Sequence, residues 1–313
     1  MAAKKRYVQV GVGGRARFFY EAIASTYSET SEIVAFCDIN RTRLEYAQKL
    51  LKEKQLSFAI HATKEPYHAT ELARQAAGES AETVISIGGD GTALEVARGL
   101  MGTNTALGII PAGTGNDFRK TLGIDKDTQK ALETILQKPA QPTDAGMING
   151  QVFLNEIGTG FDVAVLDYAN KAKKYCKGLL PYLAGVLCAL FRFKPIHASI
   201  QIDNHPPEQK DVFVIAAANG GIIGGGIVIA PDAKADDGLM DIVIVDRIKW
   251  YKLPLRLIGL LRGKILNFPE THFVRAQKIT FSAPDMRLNV DGEIVSAEKA
   301  EAQILPGALK IHR

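Results

Sequence analysis

The chain has 313 residues, enough for one large or two modest domains with proper cores. A hydrophobic share of 46%, a charged share of 23% and a formal net charge of +4 describe an ordinary globular protein and do not argue for nucleic acid as a partner. Cys37, Cys176 and Cys188, irregularly spaced, give neither a disulfide framework nor a zinc site, and the opening residues and apolar runs give neither a signal peptide nor a membrane span.

The first fifty residues read as a βαβ unit. Tyr7-Val8-Gln9-Val10 is a strand, Gly11-Val12-Gly13-Gly14-Arg15-Ala16 opens a helical run, and Ile33 to Cys37 is a second strand closing on Asp38. A glycine turn before a helix and an acid after the second strand form the layout that sets a pyrophosphate on a helix end and a ribose on a carboxylate. Through Cys37-Asp38-Ile39-Asn40-Arg41 this segment resembles the opening of the glucose-fructose oxidoreductase/inositol dehydrogenase family. The downstream lysine-proline motif of that family has no counterpart here. The unit either binds NAD or only supplies sheet edge and core.

Leu56 to His61 is a further strand, with Thr63 in the turn at its carboxyl end, and Ala69, Leu72, Ala73 and Ala76 recur at helical spacing. Thr83-Val84-Ile85-Ser86-Ile87 is short and β-branched, as a strand buried on both faces should be. It stops at Gly88-Gly89-Asp90-Gly91-Thr92, after which Leu94, Val96, Ala97 and Leu100 mark a helix. Strand, glycine loop and helix aim amides and a helix N-terminus at one spot, where phosphate is favoured. Asp90 repels phosphate there unless it meets a cation such as Mg²⁺; the alternative is a capping side chain in a tight turn. Ala106 to Ile110 is another buried strand, ending in Pro111-Ala112-Gly113-Thr114-Gly115-Asn116-Asp117-Phe118. In open α/β sheets that carboxyl edge is where ligands bind. A helix from about Lys126 to Gln137 precedes Pro139 to Asp144, which reads as a linker.

Beyond Asp144 short runs of period two dominate, at Val152 to Asn155, His197 to Ile202, Val212 to Ala218, Met240 to Val245 and Lys278 to Phe281. Turn pairs separate them (Asn149-Gly150, Asp203-Asn204, Asp237-Gly238, Asp291-Gly292), which predicts an all-β sandwich. Two apolar helical runs interrupt it, Tyr182 to Lys194 and Leu253 to Lys264; each either packs on the sandwich or offers an apolar face and snorkelling cations to lipid.

The two glycine loops together resemble the diacylglycerol-kinase catalytic domain family, in particular the soluble bacterial lipid kinases, over residues from about 50 to 313. Sphingosine-kinase and NAD-kinase relatives share the GGDGT loop. The resemblance implies an α/β chain: a NAD-kinase-like, Rossmann-like nucleotide-binding domain over residues 1–144, to which 303–313 return, and a β-sandwich lipid-substrate domain over 145–302. It implies ATP as donor with Mg²⁺, a membrane lipid such as diacylglycerol as acceptor, and peripheral contact with the inner face of the membrane from the cytoplasm. A homodimer is left open.

Carried over residue by residue, Thr63, Gly88, Gly89, Asp90, Gly91, Thr92, Gly113, Thr114, Gly115 and Asn116 meet the nucleotide, and Asp90 also holds its Mg²⁺. Asn40 is the nearest positional equivalent of a family loop reading Asn-Pro-x-Ser-Gly. Asn155 to Asp162 resembles the family's GxGFD loop, and Asn289-Val290-Asp291-Gly292-Glu293 its DGE motif. These place Asp162 and Glu293 in the catalytic site, across a cleft from the GGDGT loop, with Glu293 as general base. The carboxylate of Asp237 and the carbonyls of Lys234 and Leu239 resemble a structural Mg²⁺ site; read without the family they are an Asp-rich turn. The chain departs from the family in having Leu94 where an Asn is usual and in lacking the Asn-Pro-x-Ser-Gly loop. A chimera joined near Leu50 accounts for the unusual opening. The rival readings are a NAD-binding oxidoreductase-like protein, a NAD kinase-like protein, or a chimeric or degenerate scaffold without turnover.

Overall fold

The computed structural model describes residues 5–10, 31–37, 59–61, 65–113, 115–172, 185–186, 188–189 and 193–313. It divides into two compact units, Met1–Thr143 with Gly307–Arg313, and Asp144–Pro306. Among the described residues no helix is long and apolar enough to cross a membrane.

In the first unit β1 (Lys5–Val10), β2 (Ser31–Cys37), β3 (Ala59–His61), β4 (Thr83–Gly88) and β5 (Ala106–Pro111) form a parallel sheet in the order β3-β2-β1-β4-β5. The opening strand is therefore an interior member of the sheet, with Val8 beside Val84 and Val10 beside Ser86. β4 and β5 are buried almost throughout, which explains their unbroken apolar character. Helix α1 (His68–Gly78) turns Ala69, Leu72, Ala73 and Ala76 inward, and α2 (Asp90–Leu100) buries Leu94, Val96, Ala97 and Leu100. The two helices meet at Gly99, where a Cβ would stand 2.7 Å from the Cβ of Ala73. Leu94 points into this core at 2% exposure, so the position that departs from the family pattern is packing. Helices α3 (Asp117–Thr121) and α4 (Thr128–Gln137) follow.

The segment read as a linker is instead the start of a strand, β6 (Ala140–Ile148). Thr143 and Asp144 are buried, and Asp144 Oδ2 accepts the Gly238 N–H at 2.7 Å. Proline suggested a break, yet a strand flank tolerates a proline where its missing N–H is not called on.

The second unit is antiparallel. After β7 (Gln151–Phe153) come β8 (Glu156–Gly160), β9 (Ile196–Ile202) and β10 (Glu208–Ala218). A small hairpin of β11 (Ile222–Ile223) and β12 (Ile227–Val228) precedes β13 (Met240–Asp246), β14 (Thr271–Ala276), β15 (Lys278–Ser282), β16 (Arg287–Val290) and β17 (Glu293–Ser296). β18 (Lys299–His312) pairs with β15 and ends parallel to β5, Ile311 beside Leu107. Strand alternation feeds two cores. Ile215, Ala217, Ile242 and Ile244 enter the sandwich interior, while Phe213, Ala216, Val243 and Val245 face α5 (Phe161–Ala172) and α6 (Leu253–Leu261). The helical run read at Tyr182 to Lys194 lies largely outside the described residues; the one at Leu253 is α6.

Candidate active site

The first cluster is built where β4 and β5 end. α2 begins at Asp90, inside the stretch read as a glycine loop, so only Gly89 separates strand from helix. The Gly88 carbonyl accepts the N–H of Ala112 at 2.8 Å and of Gly113 at 3.2 Å, tying the two loops together. They touch backbone to backbone: a Cβ on Gly113 would lie 2.4 Å from the Gly89 Cα, while within the first loop one on Gly88 would lie 2.5 Å from the Thr92 side chain. That contact explains why glycines recur in both loops. Asn116, at φ 50°, closes its loop on itself: its Oδ1 accepts the Gly113 N–H at 3.0 Å and its Nδ2 donates to the Gly113 carbonyl at 2.8 Å. Gly91 and Gly115 leave the space beside Asp90 narrow on one side only, since a Cβ on Gly115 would stand 3.2 Å from Asp90 Oδ2.

Asp90 Oδ1 accepts the Phe118 N–H at 3.0 Å, so the carboxylate of one loop is held by the backbone of the other. Burial raises its pKa above the usual carboxylate range against the pull of that hydrogen bond, and the charge of Asp117 raises it further. Asp117 itself is buried and pairs with Lys120 at 2.7 Å. Of the two carboxylates here Asp117 is neutralised by Lys120, and Asp90, driven toward its neutral form, is the one whose ionised state a divalent cation would restore. Thr63, Asn40, Asp38, Thr114 and the glycines at 11–14 lie outside the described residues.

The second cluster belongs to the second unit. The Asn155 to Asp162 segment is not a loop: it is strand β8 running directly into α5, with Asp162 in the helix's first turn. Gly158 is required there, because a Cβ would meet Asp162 Oδ2 at 2.4 Å, and Gly160 turns the chain at φ +103°. Asp162 Oδ2 accepts a hydrogen bond from Asn289 Nδ2 at 3.3 Å, and the same amide donates to Glu156 Oε1 at 3.1 Å. Asp162 keeps partial exposure, but its Oδ1 is sealed from solvent and has no hydrogen-bond partner among the described residues. Burial accordingly raises its pKa to about 6.

Asp291 serves a different purpose. Its carboxylate accepts three backbone N–H groups, of Leu154 at 2.6 Å, Asn155 at 2.9 Å and Glu156 at 2.9 Å. The Asp291-Gly292 turn, with φ of 47° and 91°, is thereby clamped to the start of β8 and fixes Glu293 as the first residue of β17. Asn289, Glu156 and fully buried Asn219, which bridges the Asp144 and Leu154 carbonyls, escaped the sequence reading. Asn289 had one visible signal, its place two residues before the Asp-Gly turn.

The buried acid sets a pH dependence. Native Asp162 binds its proton more tightly than the unfolded chain does, so stability falls as pH rises from about 4 to 6, by up to about 3 kcal/mol. Asp162→Asn removes that cost. Its melting temperature should exceed that of the wild type at pH 7.5, with the gap closing by pH 4; a gap independent of pH excludes a raised Asp162.

Asp237 does not offer a bare carboxylate to an ion. Its Oδ1 accepts the Leu239 N–H at 3.1 Å and its Oδ2 is paired with Arg275, which also holds Asp241 at 3.0 Å. Among the described residues no group of three His, Cys, Asp or Glu side chains could hold a metal. Both carboxylates are thus paired with one guanidinium. Beside Asp162 in the chain, Phe161 stacks on Phe213 at 4.7 Å and helps line an apolar cavity with Val245, Leu257, Leu260 and Phe268.

Family models match the chain in two stretches. The diacylglycerol kinase catalytic domain matches residues 38–148, and the YegS C-terminal NAD kinase beta sandwich-like domain matches residues 155–313. A "Probable lipid kinase YegS-like" of Pseudomonas aeruginosa is 34% identical over 271 residues, covering 83% of this chain and 86% of that protein. A diacylglycerol kinase of Bacillus subtilis is 32% identical over 255 residues, covering 79% and 83%. A diacylglycerol kinase from Bacillus anthracis shares the fold, with a TM-score of 0.68, 21% identity and coverage of 99% and 96%. The first match begins at residue 38, so part of the segment that resembled a dehydrogenase opening falls inside the kinase domain.

Proposed function

The chain belongs to the diacylglycerol kinase catalytic-domain family and is an ATP-dependent lipid kinase, and we propose that its acceptor is the free hydroxyl of a diacylglycerol-type membrane lipid. The observation that carries the reading is the fused pair of glycine loops around Asp90, a backbone cradle for phosphates with one acid inside it. In this proposal amides of the loops that follow β4 and β5 bind the donor phosphates. Asp90 would hold Mg²⁺, which when bound neutralises charge on the phosphoryl oxygens. Glu293 accepts the proton of the lipid hydroxyl as its oxygen bonds to the γ-phosphorus and the bond to ADP breaks. Asp162, fixed by Asn289, orients that hydroxyl, and the apolar cavity beside Phe161 takes an acyl chain. The enzyme works from the cytoplasm and reaches its substrate by peripheral contact with the membrane.

Incubation with radiolabelled γ-phosphate ATP and diacylglycerol in mixed micelles should place label in the lipid phase. Excess EDTA should abolish transfer and added Mg²⁺ restore it. Label that stays wholly in the aqueous phase with diacylglycerol, but appears in another hydroxylated lipid, overturns the acceptor assignment.

A further inference from the structure

Residues 247–269 carry Arg247, Lys249, Lys252, Arg256, Arg262 and Lys264 without a single Asp or Glu. Through the middle runs α6, preceded by a 3-10 turn at Trp250–Lys252. α6 is apolar on both sides. Leu253, Leu257 and Leu260 pack on the core beneath the sheet. The outer side shows Leu255 at 64%, Ile258 at 47% and Leu261 at 62% exposure, with Trp250 at 81% and Tyr251 at 58% next to it. Spacings of three residues put Leu255, Ile258 and Leu261 in one stripe. Glu270 pairs inward with Lys252 at 3.1 Å and Arg256 at 2.9 Å, which consumes the nearest carboxylate. Among the described residues no carboxylate pairs with Lys249, Arg262 or Lys264, all of them exposed.

We propose that this outer face of α6, with Trp250 and Tyr251, is the surface by which the enzyme docks on an anionic phospholipid bilayer. The surface rests on the lipid-kinase reading for its purpose but not for its geometry. Charge selects the occupant. A two-fold interface between copies would set this patch against itself, cation against cation, whereas an anionic leaflet complements it. The apolar stripe enters the acyl boundary, Trp250 and Tyr251 sit at headgroup level, and the cations reach the lipid phosphates. The same helix roofs the apolar cavity, so the docked face and the proposed acyl site are opposite sides of one element.

Trp250 is the chain's single tryptophan, so the native protein carries its own probe. Vesicles of phosphatidylglycerol should shift its emission to shorter wavelength, and lipids brominated along their acyl chains should quench it. Vesicles of phosphatidylcholine should do far less, and 0.5 M NaCl, about three times physiological ionic strength, should weaken binding. Leu255→Gln/Ile258→Gln should weaken vesicle binding by about tenfold or more, and Arg262→Gln/Lys264→Gln by roughly thirtyfold. Neither pair should alter melting temperature or phosphorylation of a short-chain diacylglycerol dispersed as monomers. Unchanged Trp250 emission with phosphatidylglycerol, or full vesicle binding by Leu255→Gln/Ile258→Gln, overturns the surface. So does a wild-type dimer that this variant converts to monomer. If Trp250 enters the bilayer but no lipid is phosphorylated in either form, the surface stands and the kinase assignment fails. If monomeric lipid is phosphorylated without any emission change, the kinase stands and the surface fails.

Discussion

Asp90→Ala and Asp90→Asn are both expected to lose phosphoryl transfer by about 10³-fold, with melting temperatures no lower than that of the wild type. The stability expectation follows from the raised pKa: the native state holds this carboxylate ionised at a cost, so removing the charge relieves the fold. The asparagine variant separates two roles. Its Oδ1 can still accept the Phe118 N–H that Asp90 accepts at 3.0 Å, so a residue that merely joins the two loops would survive the change. A residue that holds a cation would not. Activity of Asp90→Asn above about a tenth of wild type, a barrier change under about 1.4 kcal/mol, leaves Asp90 a loop fastener. Activity lost in both variants, with Mg²⁺ dependence flattened in Asp90→Asn, assigns it to the metal.

Glu293→Gln is the second large effect. The substitution preserves length and hydrogen-bonding capacity but removes basicity, so turnover should fall by roughly 10²–10⁴. The KM for ATP should stay near wild type, because the amides proposed to bind phosphate belong to the loops after β4 and β5 and not to β17. The turn before Glu293 is clamped by Asp291, so the glutamine is presented from the same backbone. The competing base is Asp162, whose carboxyl titrates at about 6. If Glu293→Gln keeps wild-type turnover and an acidic limb with its midpoint there, the base is Asp162. If the limb remains but turnover collapses, Asp162 orients the hydroxyl and Glu293 removes its proton.

What could be read from the chain alone depended on the range of the forces involved. β4 was legible because Thr83 to Ile87 is buried on both faces and must be apolar throughout. α1 was legible because four small apolar residues repeat at one helical face. The Asp291-Gly292 turn was legible from local backbone preference, since both residues take positive φ. The use of the Asp291 carboxylate was not. Its amide partners lie up to 137 residues away, and nothing local to Asp291 announces them. Gly88, Gly89 and Gly113 could be read as ligand-facing glycines, but their contact with one another required two strands brought side by side. Pro139 to Asp144 misled because its polar composition signals a turn, while Asp144 is buried and held by Ala235 and Gly238, more than ninety residues away. Asn219 gave almost no warning, ending a run of three alanines as the polar plug that satisfies two carbonyls.

The end of β18 has a consequence for how the protein is made. Thr83, at the start of β4, hydrogen-bonds His312 at 3.1 Å across 229 residues, and Ile311 completes the sheet beside Leu107. On the ribosome the first unit emerges early, yet the strand that covers the β5 edge emerges only after the second unit. Until then β5 presents open N–H and C=O groups on an apolar strand, an invitation to pair with another nascent chain. Synthesis of the entire second unit must elapse before that edge is sealed. Long-range closure of this kind slows folding and leaves the newborn first unit open to wrong pairing until β18 lies against β5.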